Sequence, residues 1–445
     1  MQLKDDKQIG SFSGGLAEIV SAPSDVTMSY LEKWFKGTSA LGKAYEILGM
    51  LCDQVNESIL ERRNGELLVN LDIEQRTLYN ATLLKYQPLK NIYETPVLAF
   101  DPKSVFNPIK VRNTLKILFV QAKWISASRD IVENLDKIYK GLGTPSNTMT
   151  LQQVEETMAR EIMPSIIAIG AVTEFFYHLI ESNHKDTMSD VKKYIDSKLA
   201  ENDWYFKSVR DQLLVHNGGL GFADYIKTYG LRADNDYELE CPRWYEIPHV
   251  IKERILQMEA PKSSNQHKDA EFDNEALGKD KHIKAYIDLC VLRSNAKRLS
   301  LSWIDALRQQ LLASNKLSVK SYTPSNGAAI SQNIDSKMAG LGLPISSGNV
   351  EGMIQIIKSS KDLVPNGTIG VFPNSGTDFT HLFTKCIGII FLRGGQTSHG
   401  AIVAREFGIP AITDPTAIGL QDGFNVKIDG GSGSWFCEVA HSTKN

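Results

Sequence analysis

Apolar residues recur three and four positions apart through 110–142, 150–182, 186–215 and 282–314, the spacing that lines one face of a helix. The chain is therefore predicted to be mainly helical from about 26 to about 315. Two stretches break the period. Glu66-Leu67-Leu68-Val69-Asn70-Leu71 is short and apolar enough for an extended segment, and 229–248, bounded by Gly230, Pro242 and Pro248, is a polar, loop-forming interruption and a candidate site edge. Near residue 318 the pattern changes again: SVKSYTPSNGAAISQNIDSK is poor in large apolar residues and rich in Ser, Asn, Pro and Gly, as connectors are. Beyond it short apolar runs alternate with one helix. Strands are predicted over 352–357, 368–372, 386–392, 411–413, 426–428 and 434–439, with the helix over 398–407. The expected architecture is multidomain: a large α-helical domain over 1–317, a flexible linker over 318–339, and a small α/β domain over 340–445.

Composition narrows the function classes. A formal net charge of −3 on 445 residues supplies no broad basic field, and no Lys/Arg stripe with interleaved aromatics is present, so nucleic acid is not an expected partner. The five cysteines, Cys52, Cys241, Cys290, Cys386 and Cys437, are odd in number and lack CxxC spacing, which fits buried thiols in a reducing compartment. None of the histidines pairs at metal-ligand spacing, so no metal site is expected. His178 lies in an apolar helix as a core group, while His184, His267 and His441 stand in polar surroundings. Gly218-Gly219-Leu220-Gly221 lacks the strand and lysine of a phosphate loop and reads as a turn. The N-terminus has no apolar leader and no stretch approaches the length of a membrane span, so the expected location is cytoplasmic, with no membrane partner.

The chemistry concentrates in CIGIIFLRGGQTSHGAIVAREFGIPAIT, which reads as buried strand, glycine loop, helix and second strand. Gly394 and Gly395 allow a sharp exit from the strand, Thr397 or Ser398 can cap the helix, and Gly408 with Pro410 ends it. His399 then sits in the first helical turn. Unpaired backbone N–H groups and the positive end of the helix dipole favour a phosphate there, and a neutral imidazole is a competent nucleophile. An isolated histidine at a helix start is more often a plain polar residue. The surrounding pattern is what favours chemistry.

GGQTSHGAIVAREFGIPAI resembles the phosphohistidine motif of the phosphoenolpyruvate-utilising enzymes, and the resemblance runs from about 340 to about 439, taking in GLPISSGNVEG, TDFTHLF and LQDGFNVKIDGGSG. It implies a phosphohistidine swivelling domain in which His399 carries a phosphoryl group. Gly394, Gly395, Thr397 and Ser398 match the family's loop, and Ala404, Arg405 and Glu406 match its helix, with Arg405 either a phosphate contact or half of an exposed pair. Gly400 stands where alanine is common and weakens the helix slightly. Thr377 and Asp378 fall where the family often has Thr-Asp-Pro, Phe379 replacing the proline, and imply a supporting role in fold or docking.

A second patch, YIKTYGLRADNDYELECPRWYEIP, together with GELLVNLD at 65–72, is similar to the helical acceptor domain of the rifampicin phosphotransferase-like and synthase-like members. It implies that 1–317 binds a small-molecule acceptor, with Arg232, Asp236, Glu238 and Arg243 orienting it and a carboxylate taking its proton. A structural ion-pair network is the equal alternative, and Trp244 reads first as packing. Leu231 replaces the family's usual histidine. Family members phosphorylate the histidine with an ATP-grasp domain, which nothing in this sequence matches. The resemblance therefore implies a separate ATP-grasp partner protein that binds ATP and Mg²⁺. No pyruvate-handling barrel follows the histidine domain, so pyruvate is not the expected acceptor. The expectation is one component of a dikinase-type phosphotransferase; the alternative is a phosphocarrier or regulatory module without its own acceptor.

Overall fold

A computed structural model describes residues 9–11, 23–50, 55–63, 66–70, 73, 119–185, 187–258, 275–319, 337–395 and 398–438. Thr397, His267, His441, most of the 318–339 linker and the 110–118 start of the first predicted helix lie outside them. The chain forms two compact units. One comprises 1–12, 22–199 and 274–318; the other comprises 13–21, 200–273 and 319–445.

The first unit is helix-rich. A small antiparallel sheet, in the order β1-β3-β2, is built from β1 (Ile9–Ser11), β2 (Leu60–Arg63) and β3 (Glu66–Asn70), so the extended stretch near 66 is a strand. Its helices are α1 (Asp25–Trp34), α2 (Ala40–Ile47), α3 (Ser128–Gly141), α4 (Leu151–Thr157), α5 (Met163–Asn183), most of α6 (Met188–Asn202), α10 (Glu275–Lys279) and α11 (Lys281–Ala313). α4 opens on a capping box in which Thr150 and Gln153 satisfy each other's backbone N–H groups, and a π-helical turn over Met158–Ile162 joins it to α5. α5 buries Ile166, Ile169, Val172 and Phe176, and α11 packs along it. By length and composition the run Leu151–Asn183 reaches the size of a membrane span, contrary to the expectation from sequence, and 67% of its most apolar window is buried within the protein. A core helix has the same properties.

The predicted helix over 186–215 is two helices. Asp203, a buried carboxylate, accepts the backbone N–H groups of Tyr205 and Phe206 at 2.8 and 3.1 Å and starts α7 (Trp204–His216). α8 (Phe222–Tyr229) and α9 (Pro248–Leu256) follow, with 229–248 irregular between them apart from an Ala233–Arg243 bridge. Gly218 begins the turn from α7 to α8 with φ 75°. These three helices belong to the second unit, so the compact units cut the chain differently from the linear division read from sequence. The reason lies in contacts made by side chains far apart in the chain, described below.

The rest of the second unit is one eight-stranded sheet, in the order β4-β11-β10-β6-β7-β8-β9-β5. Its strands are β4 (Lys337–Leu341), β5 (Leu343–Ser346), β6 (Asn349–Ile356), β7 (Ile369–Phe372), β8 (Gly388–Phe391), β9 (Ala411–Thr413), β10 (Asn425–Asp429) and β11 (Ser434–Glu438). The β6-β7-β8-β9 ladder is parallel and the outer pairings are antiparallel. β7 and β8 are buried at every position, as parallel strands covered on both faces require, which is why they read as unbroken apolar runs. Ile354, Ile369, Val371, Ile390, Ile412, Val426, Ile428 and Trp435 form the core. α12 (Thr380–Phe383) lies between β7 and β8, and α13 (His399–Glu406) crosses from β8 to β9.

Candidate functional site

β8 ends at Phe391, and the chain must turn at once to feed α13. Leu392 N–H still donates to Phe372 carbonyl at 2.8 Å, and Gly394 then takes φ 149°, where a Cβ would collide with Ser375 Oγ. Glycine is required at that point. Ser398 N–H donates to Gly395 carbonyl at 3.0 Å, Ser398 occupies the N-cap with extended backbone, and His399 is the first residue of the helix. Gly400 N–H donates to Ser375 carbonyl at 2.9 Å, latching the start of α13 to the loop after β7. The histidine thus lies beyond the carboxyl end of a parallel strand, the place where open α/β sheets present ligands.

The His399 side chain is only 5% exposed. Its Nε2 lies 2.8 Å from Thr380 Oγ1, and the Thr380 hydroxyl donates to Thr377 carbonyl at 2.7 Å. That hydroxyl has one proton, so Nε2–H donates to Thr380 and Nδ1 keeps its lone pair. Nδ1 and the neighbouring Ser398 Oγ are both buried without a protein partner. Burial first, and the Arg232 charge second, hold the imidazole well below its ordinary pKa, so the ring is neutral at physiological pH.

Around it stand residues of 200–258. Thr377 hydroxyl contacts the carbonyls of Ala233 and Asp234 at 3.2 and 3.3 Å, Arg210 pairs with Glu406 at 3.0 Å, and the Arg405 guanidinium lies 5.6 Å from the Phe206 ring. Arg405 is six residues along α13 from His399, about 9 Å at the helical rise. Its guanidinium lies against the Phe206 ring and donates to Ile345 carbonyl at 3.4 Å.

Arg232, Asp236, Glu238 and Arg243 are brought together and buried. Arg232 donates to Ser208 Oγ at 3.0 Å and pairs with Asp236 at 3.4 Å. Asp236 Oδ1 accepts Ala233 N–H at 2.9 Å, Glu238 accepts Glu240 N–H at 3.0 Å, and Arg243 donates to Asp236 carbonyl at 2.7 Å. These bonds hold the loop's own backbone. Trp244 is packed, its ring 4.9 Å from the Arg232 guanidinium.

Thr380, Ser375 and the Asp234–Arg254 pair, bidentate at 2.5 and 2.9 Å, were not singled out from sequence. Thr380 lies inside TDFTHLF, one turn beyond Thr377, and that spacing was its only signal. Asp378 is partly buried in the same cluster: desolvation first, then the Asp234 charge, raise its pKa to about 8 against a smaller opposing effect of Arg254. Its carboxyl is held by the backbone N–H groups of Asp378 and Phe379, with Cys241 and His381 completing the charged and titratable surroundings. A carboxyl with a raised pKa binds more protons folded than unfolded between the ordinary value and about 8. Stability therefore falls as pH rises through that window, by at most about 1.4 kcal/mol per pH unit. Denaturation midpoints from pH 5 to 8 are expected to fall in the wild type and to flatten in Asp378→Asn.

Gly400 also departs from the reading from sequence. Alanine there would aid an isolated helix, yet its Cβ would lie 2.8 Å from the Phe391 ring and 2.9 Å from Ser375 Cβ. Phe391 is locked edge-on against Phe383 at 5.4 Å, so the ring has little room to yield. Gly400→Ala is expected to cost about 1–3 kcal/mol, measured by urea denaturation, where helix propensity alone expects a gain.

Residues 364–433 match the family described as PEP-utilising enzyme, mobile domain. Rifampicin phosphotransferase from Bacillus subtilis is 34% identical over 96 residues, covering 21% of this chain and 11% of that protein. A probable phosphoenolpyruvate synthase from Archaeoglobus fulgidus is 33% identical over 108 residues, covering 23% and 14%. The matched stretch thus spans little more than a tenth of either relative. Aconitase X (holo-form) from Thermococcus kodakaraensis aligns over 98% of its chain and 22% of this one, at 20% identity and a TM-score of 0.20, too slight to bear on the fold. The matched residues contain β8 and α13, which present His399, and over this stretch the chain is similar to the PEP-utilising enzymes.

Proposed function

We propose that this chain is the phosphohistidine component of a dikinase-type phosphotransferase. A separate ATP-grasp protein binds ATP with Mg²⁺ in the cytoplasm and passes the β-phosphoryl to His399, with AMP and phosphate as the overall products. The swivelling domain over 340–445 moves on the linker over 318–339. It then docks at the 229–248 loop, where the helical part of the chain presents a small-molecule acceptor. The observation that carries this reading is the imidazole itself: neutral, at the head of α13, with Nδ1 and Ser398 Oγ buried and unpartnered. A phosphoryl oxygen would satisfy Ser398 Oγ at the positive end of the helix dipole. In this pose the ring faces the Arg232 charge and is closed off from solvent, as a transfer step that excludes water needs and as loading by a second protein does not.

The second reading, a phosphocarrier or regulatory module without its own acceptor, draws support from one observation. The Asp236 and Glu238 carboxylates are occupied by loop backbone N–H groups, and Leu231 supplies no acid or base. Incubation of the chain and an ATP-grasp partner with ATP labelled at either the β or the γ position tests the main reading. Label is expected on the chain from the β position only, with AMP formed; label from the γ position, or ADP as the product, would contradict the dikinase scheme.

A further inference from the structure

Asp378 precedes Thr380 by two residues, in the short helical turn Thr377–Phe379 that leads into α12. This turn meets the 229–248 loop. Thr377 hydroxyl reaches the carbonyls of Ala233 and Asp234 at 3.2 and 3.3 Å, and a Cβ on Gly376 would stand 2.7 Å from Asp378 Oδ1 and 3.7 Å from Asp234 carbonyl. The Asp378 carboxyl and the loop therefore share one small region, with α9 bringing Arg254 to the same place.

The charges of this contact do not balance. Arg254 gives both terminal nitrogens to Asp234, at 2.5 and 2.9 Å, so that pair is neutral as a unit. Asp378 is a second carboxylate beside it, and Asp234 acts on it more strongly than Arg254 does. The other titratable neighbours bring no positive charge at physiological pH. Burial, then the Arg254 charge, lower His381 to about 4, with Lys385 acting the same way, and burial, then the Asp234 and Glu238 charges, raise the Cys241 thiol well above its ordinary range. Two carboxylates facing one guanidinium leave one negative charge in excess, and a proton removes it. Ionised, Asp378 repels Asp234 across the contact; protonated, it leaves the contact neutral.

We propose that Asp234, Arg254 and Asp378 form a proton-coupled latch: the swivelling part is held against 229–258 with a proton on the Asp378 carboxyl and yields that proton to solvent when it leaves. The inference rests on the swivelling motion read above and supplies its regulation. Only the Asp378 O–H bond breaks on release, and it forms again on return. His399 is 5% exposed in this pose, so release is also the step that uncovers the imidazole. Held, the carboxyl titrates at about 8; released, it returns to its ordinary value of about 4. Between these values release sheds a proton, so rising pH favours release, by up to about tenfold per pH unit, and falling pH favours the held pose.

Exposure of the ring tests this on the full, unphosphorylated chain without any transfer chemistry. Diethyl pyrocarbonate acylates accessible neutral imidazoles, and mass spectrometry locates the adduct. The rate at His399 divided by the rate at His249, an exposed histidine of the same chain, reads the released fraction and cancels the ordinary titration of the ring. In the wild type this ratio is expected to rise severalfold to about tenfold per pH unit from about pH 6 and to level off near pH 8. In Asp378→Asn, whose side chain never ionises, it is expected to stay at its low-pH value. Asp234→Asn leaves Arg254 to pair with an ionised Asp378, and the rise is expected to vanish there too. Either variant with native circular dichroism suffices for the comparison. A ratio that stays flat in the wild type, or a rise that persists unchanged in the variants, would overturn the latch. Failure of His399 to accept label in the partner assay would instead strike the phosphotransfer reading and leave the pH dependence of ring exposure standing.

Discussion

Arg232→Leu is expected to destabilise the unit containing the histidine by about 3–5 kcal/mol, the cost of removing one partner from a buried pair. Arg232 is 1% exposed, and its guanidinium lies 4.7 Å from the Tyr205 ring, 4.9 Å from Trp244 and 5.9 Å from Trp204. Leucine removes these cation–π contacts, each of order 1 kcal/mol, and leaves Asp236 buried with its strongest counter-charge gone. The double variant Arg232→Leu/Asp236→Asn is expected to recover part of the loss, because the orphaned carboxylate then becomes neutral while its oxygen still accepts Ala233 N–H. Urea unfolding followed by tryptophan fluorescence reads both effects, and additivity of the two single changes would show that the pair is not coupled. The same substitution is expected to raise the His399 pKa, since the Arg232 charge opposes protonation of the ring.

What the sequence disclosed was what is local in the chain. His399, Gly394, Gly395 and Ser398 lie within six consecutive positions, and the glycine loop, cap and helix start follow from their residue types. The buried strands β7 and β8 were readable because both faces are covered, so their composition is apolar throughout. β4 and β5 were not. β4 begins at Lys337, within the stretch read as linker, and is held by register pairing with β11, while β5 pairs with β9 across an irregularity between Pro344 and Ser346. Edge strands need little apolar content of their own. The wider site was equally hidden. Thr377 meets Ala233 across 144 positions and Arg210 meets Glu406 across 196, and no periodicity encodes such meetings. Gly400 illustrates the limit most plainly: propensity describes the helix alone, whereas Phe391 and Ser375 decide which side chain fits.

The other large effect concerns His399 itself. In His399→Ala the acid-labile phosphoryl is expected to vanish altogether, because no second side chain of the site substitutes for the imidazole. Among the described residues the hydroxyls beside it are Ser398 Oγ and Thr380 Oγ1, and a serine or threonine phosphate would survive acid. Thr380 orients the ring by accepting a hydrogen bond from Nε2–H, and burial keeps the ring uncharged. Loading is therefore expected to persist through neutral pH and to require exposure of the ring, which is 5% exposed in this structure.

The most direct test is to incubate wild type and His399→Ala with an ATP-grasp partner and β-labelled ATP, and to measure acid-labile label on each chain. Label on the wild type alone, stoichiometric with the chain, is the result this account expects; equal label on both, or none on the wild type with a partner that forms AMP, would contradict it.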